Sequence, residues 1–248
     1  MPHAQRHRGA HPEDARLFGP AALPILSGAA AELVYLLSRG YPPDPALSFV
    51  GGHHQLDARQ RLALRRMVCS DEKWASRAAR RLPLSQAAQG TVHIDGFNLI
   101  ITLEVALSGG VLLKGRDGAL RDLAGLRGSY HPVVETEEAL RRLGEGLSAL
   151  NAKEVQLLLD APVSNSGRLR ARVLHHAAAW PFALEVLLLS DVDRTLAGKE
   201  RVVSSDAMVL DTCASWLNLA PFLIASGLRS NKEAWLVELA DLDPHLRT

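Results

Sequence analysis

The chain is poor in the features that mark secreted, membrane or strongly nucleic-acid-coating proteins. Its 248 residues include two cysteines. Cys69 and Cys213 lie far apart and form neither a metal-binding pair nor a disulfide framework. Both sit in apolar helical contexts, so buried thiols are expected. No apolar run approaches membrane-spanning length; the stretch over residues 25–37 is broken by Ser27, Gly28 and Glu32. The first eleven residues are polar, carry His3, Arg6, His7 and Arg8, and lack the apolar core of a signal peptide. These absences lead to the expectation of a cytoplasmic protein without a membrane partner. Aromatic residues make up only 5%. Phe97, Tyr130 and Trp180 are the obvious stacking candidates, fewer than single-strand binders usually show. The net charge of +1 does not by itself point to nucleic acid. There are no internal repeats and no low-complexity tract.

What is present is ordinary globular composition, 47% hydrophobic and 22% charged, with one local charge imbalance. Arg59, Arg61, Arg65, Arg66, Lys73, Arg77, Arg80 and Arg81 stand against only Asp71 and Glu72, a local charge of +6. Such a stripe is a candidate phosphate-binding face. A solvated, arginine-rich helix face accounts for it equally well.

Residues 1–11 read as a disordered tail. Residues 12–84 read as a helical domain. A first helix starts near Pro12-Glu13-Asp14, and an apolar helix covers Leu23–Ser38. A turn spans Ser48–Leu56, Asp57 caps a helix over Ala58–Cys69, and another helix covers about Asp71–Arg81. Pro83–Gly90 reads as a linker. From residue 91 to 248 strands alternate with helices. Strands are expected near Val92–Asp95, Val111–Leu113, 154–159, 184–189 and 201–204, and helices over about 100–107, Glu135–Leu150, 167–178 and 207–217. A last strand at Pro221–Ala225 and a last helix at Lys232–Leu239 complete the pattern. The alternation predicts an α/β fold with a parallel sheet and helices on both faces, preceded by a small all-α domain.

The chemistry sits at the strand ends. Val92-His93-Ile94 delivers Asp95, then Gly96, with Asn98 three residues on. Apolar strands likewise run into Asp160, into Ser190-Asp191-Val192-Asp193, and into Ser204-Ser205-Asp206. The C-terminal ends of parallel strands are where open α/β sheets build their sites. Each acid alone is weak, because a strand-end aspartate often only caps the next helix. Together they predict a carboxylate cluster that a hard cation, Mg²⁺ or Mn²⁺, would neutralise. Ser164, Asn165 and Ser205 offer phosphate contacts or helix caps. Arg168 and Arg170 offer a clamp on a substrate backbone, and Arg59, Arg61, Arg65 and Arg66 a second grip. Glu104 is either an extra metal ligand or a helix-surface charge. His53-His54 and His175-His176 are adjacent pairs, and neighbours on a helix do not share a face, so zinc is not expected there.

The segment Ile94-Asp95-Gly96-Phe97-Asn98-Leu99-Ile100 resembles the opening motif of PIN-like nucleases, especially the NYN branch. Leu157-Leu158-Leu159-Asp160 and Val203-Ser204-Ser205-Asp206 look like that family's later acidic motifs, with Asp191 or Asp193 as an intermediate acid. The resemblance covers about residues 91–225. It implies a metal-dependent ribonuclease, with Asp95, Asp160, Asp193 and Asp206 catalytic, and PIN-like domains also often pair as homodimers; Asn98, read from the residues, either bonds the backbone or orients Asp95. The chain further resembles prokaryotic proteins that join a PIN-like domain to a helical module with a motif like Phe49–Leu56 and Arg59-Gln60-Arg61, a pairing that carries no activity over. Asp117-Gly118 and Arg121-Asp122 depart from a minimal PIN domain. Two alternatives stand beside the nuclease. One is a non-catalytic RNA-associated or interaction protein. The other starts from Leu187–Leu196, which resembles the Asp-x-Asp-x-Thr motif of haloacid-dehalogenase-type phosphatases, with Asp191 as nucleophile and Asp193 as acid/base.

Overall fold

The helix Gly96–Leu107 is apolar on nearly every side, and residues 96, 97 and 99–106 are all buried. A helix without a polar face must be covered on both sides. This one lies between two sheets, and that arrangement sets the architecture. The structure is a computed structural model and describes residues 6–125, 128–225 and 234–242.

In chain order the elements are α1 (Asp14–Phe18), α2 (Leu23–Ser38), α3 (Pro43–His53), α4 (Ala58–Met67), α5 (Asp71–Arg80), β1 (Arg81–Leu82), a 3-10 segment (Leu84–Gln89), β2 (Val92–Asp95) and α6 (Gly96–Leu107). There follow β3 (Val111–Lys114), β4 (Leu120–Asp122), α7 (Thr136–Ala149), β5 (Glu154–Asp160), α8 (Ser166–Ala177), β6 (Ala183–Leu189) and α9 (Val192–Leu196). The last are β7 (Val202–Val203), α10 (Ala207–Thr212), β8 (Trp216–Leu217), α11 (Leu219–Ala225), β9 (Trp235–Val237) and a 3-10 turn (Ala240–Leu242).

The larger sheet has six strands in the order β1-β8-β7-β2-β5-β6. Every pairing in it is parallel, with Ile94 opposite Leu157 on one side and Val203 on the other. The expected α/β class with a parallel sheet is therefore what the chain forms. From β2 the chain builds outward through β5 and β6, then returns to the other flank of β2 with β7 and β8. The strand order reverses between β2 and β7, and at such a switch point the two loops diverge and leave a crevice.

The smaller sheet has the order β4-β3-β9. It is a wall shared by two cores. Leu112 packs into the core that holds α6, α7 and the main sheet, while its neighbours Val111 and Leu113 face the core of α1–α4. Leu123, Val237, Leu239 and Leu242 complete that second core. Helical packing thus crosses the expected linker at residues 83–90, and β1, at the end of the helical region, pairs with β8. A buried charge network adds to the join. Arg77 of α5 donates to Asp117 at 2.7 Å and to Asp211 at 2.7 Å, and Arg121 of β4 grips both oxygens of Asp117 at 2.8 and 2.7 Å. Burial pushes the Asp117 carboxyl up, but Arg121 and Arg77 outweigh it and hold the group at about 2.

Several local expectations are corrected. The turn expected over Ser48–Leu56 is largely helix: α3 starts at Pro43, suited to a first turn, and runs through Gly51-Gly52 to His53. The helix after Asp206 stops at Thr212, and Trp216–Leu217 forms β8. Leu219–Ala225 is helix rather than strand, because Leu219 and Leu223, four apart, bury one face. Trp235–Val237 is a strand, and residues 232–233 of the helix expected there lie outside the described residues. Leu120–Asp122 is too short to show a period. Of the expected tail, residues 1–5 lie outside the described residues, while His7 pairs with Glu135 and Arg8 with Glu104. Among the described residues no helix is long and apolar enough to cross a membrane. Cys69 and Cys213 are both buried free thiols, and burial pushes both up, away from the reactive thiolate.

Gly96 turns β2 directly into α6, and an added Cβ there would stand 2.8 Å from the Leu158 carbonyl oxygen and 2.7 Å from the Leu157 side chain. Gly96→Ala is expected to destabilise the protein by about 1–3 kcal/mol in denaturant unfolding. Gly167→Ala, in α8 with nothing within 4 Å, should instead be neutral or stabilising by up to about 1 kcal/mol.

Candidate functional site

β2, β5, β6 and β7 are parallel, so the chain leaves each of them on the same edge of the sheet. That edge carries a cleft of about 590 Å³, lined by Asp95, Asp122, Asp160, Asp193 and Asp206 together with Arg65, Arg66, Arg121, Asn98, Ser205 and Phe97. Asp95 ends β2, Asp160 ends β5, Asp193 lies in α9 after β6, and Asp206 follows β7. The four acids expected to be catalytic thus line one cavity. They do not form a tight ligand triangle: among the described residues only Glu32, His53 and His54 bring three ligand atoms within 4.8 Å of one another.

The cleft floor is fixed by hydrogen bonds across the switch point. Ser204 Oγ donates to Asp95 Oδ2 at 2.7 Å. Asn98 Oδ1 accepts from the Ser205 backbone N–H at 2.8 Å and from the Ser205 hydroxyl at 2.9 Å. Of the two roles open to Asn98, its side-chain oxygen takes the backbone one and ties α6 to the β7 loop, while the Ser204 hydroxyl and the Asn98 backbone N–H both bond Asp95. Two acids double as helix caps. Asp206 Oδ1 accepts from the N–H groups of Met208 and Val209, and Asp191 Oδ1 from that of Arg194.

The electrostatics are those of crowded acids. Burial raises the Asp95 carboxyl most, the Ser204 hydrogen bond pulls it back, and Asp193 and Asp206 push it up again, to about 7. Burial also raises Asp193, with Asp206, Asp160 and Asp191 adding to it. Asp160 is raised by burial and then by Asp191. Asp191 therefore acts on the cleft's field without lining it.

Asp122 escaped sequence reasoning. It ends the three-residue β4, where no periodicity flags it. One of its oxygens accepts from Thr102 at 3.0 Å and the other from the Ala124 N–H at 2.8 Å, while Arg66 stands 3.6 Å away. Burial raises this carboxyl, and Arg66 opposes the shift.

Other expected site residues go elsewhere. Glu104 is fully buried and closed off from the cleft, accepting from Arg8 and Thr136 at 2.6 Å and from Tyr130 at 2.5 Å. Its carboxylate serves that network and is not a ligand in the cleft. Asn165 donates to the Tyr130 carbonyl, and Ser164 bridges to the 128–130 segment through its backbone. Arg168 and Arg170 lie exposed on α8, outside the cleft lining. The basic stripe divides. Arg59 grips the buried Asp14 and Arg61 caps the Leu56 carbonyl, whereas Arg65 and Arg66 reach the cleft rim.

All five cleft acids fall within residues 84–221, the segment matched by the family described as Domain of unknown function (DUF5616). The chain belongs to that family. Residues 25–80 match a second family, described as Protein of unknown function (DUF434), which here supplies Arg65 and Arg66. A relative in Methanocaldococcus jannaschii, Uncharacterized protein MJ0935, is 32% identical over 182 residues, covering 73% of this chain and 87% of its own length. No solved structure matches the chain. The seam between the DUF434 and DUF5616 segments falls at β1, so the cleft is assembled from both.

The raised Asp95 carboxyl makes stability depend on pH. Between its ordinary value of 3.8 and about 7 the folded state binds more protons than the unfolded state. Stability from this group is therefore present below 3.8 and lost as pH rises through 7. In chelator-treated buffer Asp95→Asn should be more stable than wild type at pH 8, by on the order of a few kcal/mol, and should lose that advantage at acid pH. Thermal melts at the two pH values measure this.

Proposed function

We propose that this protein is a Mg²⁺- or Mn²⁺-dependent nuclease that hydrolyses phosphodiester bonds in RNA. The observation that carries the proposal is the gathering of Asp95, Asp160, Asp193 and Asp206 with Arg65 and Arg66 in one cleft at the switch point of a parallel sheet. The acids raise one another, which a divalent cation would relieve, and an all-oxygen donor set suits a hard cation. Asp95, Asp160 and Asp193 would hold it, with the oxygen of Asp206 not used for capping. When bound, the cation would neutralise these acids and polarise a phosphodiester oxygen.

The chain's own groups do the rest. Arg65 and Arg66 hold backbone phosphates at the rim. Ser204 fixes the rotamer of Asp95, and Asn98 fixes the loop that presents Asp206. Asp193, exposed at the cleft, accepts a proton from the attacking water at the carboxylate oxygen not given to the cation. RNA as substrate and pairing of two copies go with the PIN-like resemblance of residues 91–225, and a cytoplasmic location with the two unpaired cysteines. The phosphatase reading is the weaker one, since β6 is the outer strand of the sheet and Asp191 is engaged as a cap.

The test is total cellular RNA incubated with the protein and Mn²⁺. Wild type should cleave, and Asp95→Asn and Asp193→Asn should lose on the order of 100-fold or more in rate. Arg65→Ala should act mainly through KM. RNA binding without cleavage at millimolar Mn²⁺ would leave the non-catalytic RNA-associated role in its place.

A further inference from the structure

On the face of the helical region, Glu32, His53 and His54 bring a carboxylate oxygen and two imidazole nitrogens within 4.8 Å of one another. His54 Nε2 and Glu32 Oε2 already stand 3.0 Å apart. Adjacent histidines on a helix diverge, yet here the two rings meet edge to face with centroids 4.9 Å apart. α3 terminates in a Schellman motif: the Leu56 N–H bonds the Gly51 carbonyl, the Gln55 N–H bonds the Gly52 carbonyl, and Gln55 takes the left-handed conformation at φ 51°. His53 is then the last helical residue and His54 the cap, at φ −84° and ψ 4°. The end is clamped from outside, because Arg61 lies against Gly51 and donates to the Leu56 carbonyl at 2.9 Å. The His54 ring packs over Gly28, one helical turn before Glu32, where an added Cβ would meet it at 3.7 Å. The sequence motif Phe49–Leu56, to which the cleft gives no role, is thus the scaffold of this cluster.

We propose that Glu32, His53 and His54 form a zinc site, separate from the carboxylate cleft. The donor set is two imidazoles and one carboxylate, which suits a borderline-soft cation such as Zn²⁺ and leaves at least one coordination position open. Ligand atoms on a tetrahedral zinc at its usual bond lengths lie about 3.3 Å apart. The Glu32–His54 pair matches that spacing, and His53 needs only a side-chain adjustment to join it. Two exposures make the adjustment and metal entry feasible: Glu32 and His53 are exposed, and His54 is partly so. Phe49, one turn before His53, and Tyr35, close to one turn after Glu32, are 72% and 56% exposed.

Isothermal titration of Zn²⁺ into the full chain tests this, with thermal melts in parallel. One Zn²⁺ per chain should bind at micromolar concentrations and raise the melting temperature. His53→Ala and Glu32→Gln, both at exposed positions, should keep the fold by circular dichroism and weaken binding at least about tenfold. Asp95→Asn should bind zinc like wild type, which separates this site from the cleft. Absence of binding in wild type at about 100 µM Zn²⁺, or equal binding in His53→Ala and Glu32→Gln, would overturn the proposal; the second result would place the metal elsewhere, as on the histidines of the first eleven residues.

Discussion

Asp117 is the point on which the two halves of the molecule depend. Its carboxylate is buried and held by two buried guanidiniums, Arg77 from the helical region and Arg121 from the small sheet. A buried ion of this kind is tolerable only while fully paired, and losing one partner typically costs about 3–5 kcal/mol. The network therefore ties the helical region to the small sheet at one defined point. Arg121 also donates to the Ser205 carbonyl at 2.7 Å. From Ser205 the bonds continue to Asn98, and the neighbouring Ser204 holds Asp95. A charge buried at the junction of helices and sheet is thus connected to the floor of the cleft.

That floor carries an electrostatic tension of the opposite kind. At Asp117 two cations surround one acid and pull it down. In the cleft several acids face one another, and Asp95 is pushed up to about 7. Two arginines reach the rim, but Arg65 is paired with exposed Asp44 and Arg66 with Asp122. The protein keeps a partly uncompensated negative centre, spread around one cleft, beside basic groups, an arrangement that fits a site completed by a cation and an anionic backbone.

Composition misled where pairing decides. The +6 stripe from Arg59 to Arg81 suggests one basic face, yet the chain distributes it among unrelated tasks. Arg59 neutralises the buried Asp14, Arg77 the Asp117–Asp211 pair, and Arg80 donates to the Cys213 carbonyl. Arg65 and Arg66 alone among them line the cleft. Glu104 shows the converse: an acid on the helix leaving the key strand, yet one turned to Arg8, Tyr130 and Thr136 on the far side of α6. Helical phase and the partners that come from distant chain decide which acid faces which way.

The sequence alone determined the α/β class, four of the six parallel strands of the main sheet, and the strand-end places of Asp95, Asp160 and Asp206, with Asp191 or Asp193 beside them. Apolar runs of strand length ending in an acid are local signals, and parallel strands bring their ends to one edge by necessity. The tertiary structure decided what depended on long-range pairing. It showed that Asp122 joins the cleft, that the Ser204 hydroxyl bonds Asp95 while the Asn98 side chain bonds Ser205, and that β4 and β9 form a wall between two cores. It also turned Pro221–Ala225 into helix, because a five-residue apolar run has no period of its own and takes its form from the surface it covers. The convergence of His53 and His54 is of the same kind: in sequence they are neighbours that a helix would splay apart, and only the packing of α3 on α2 brings them to Glu32.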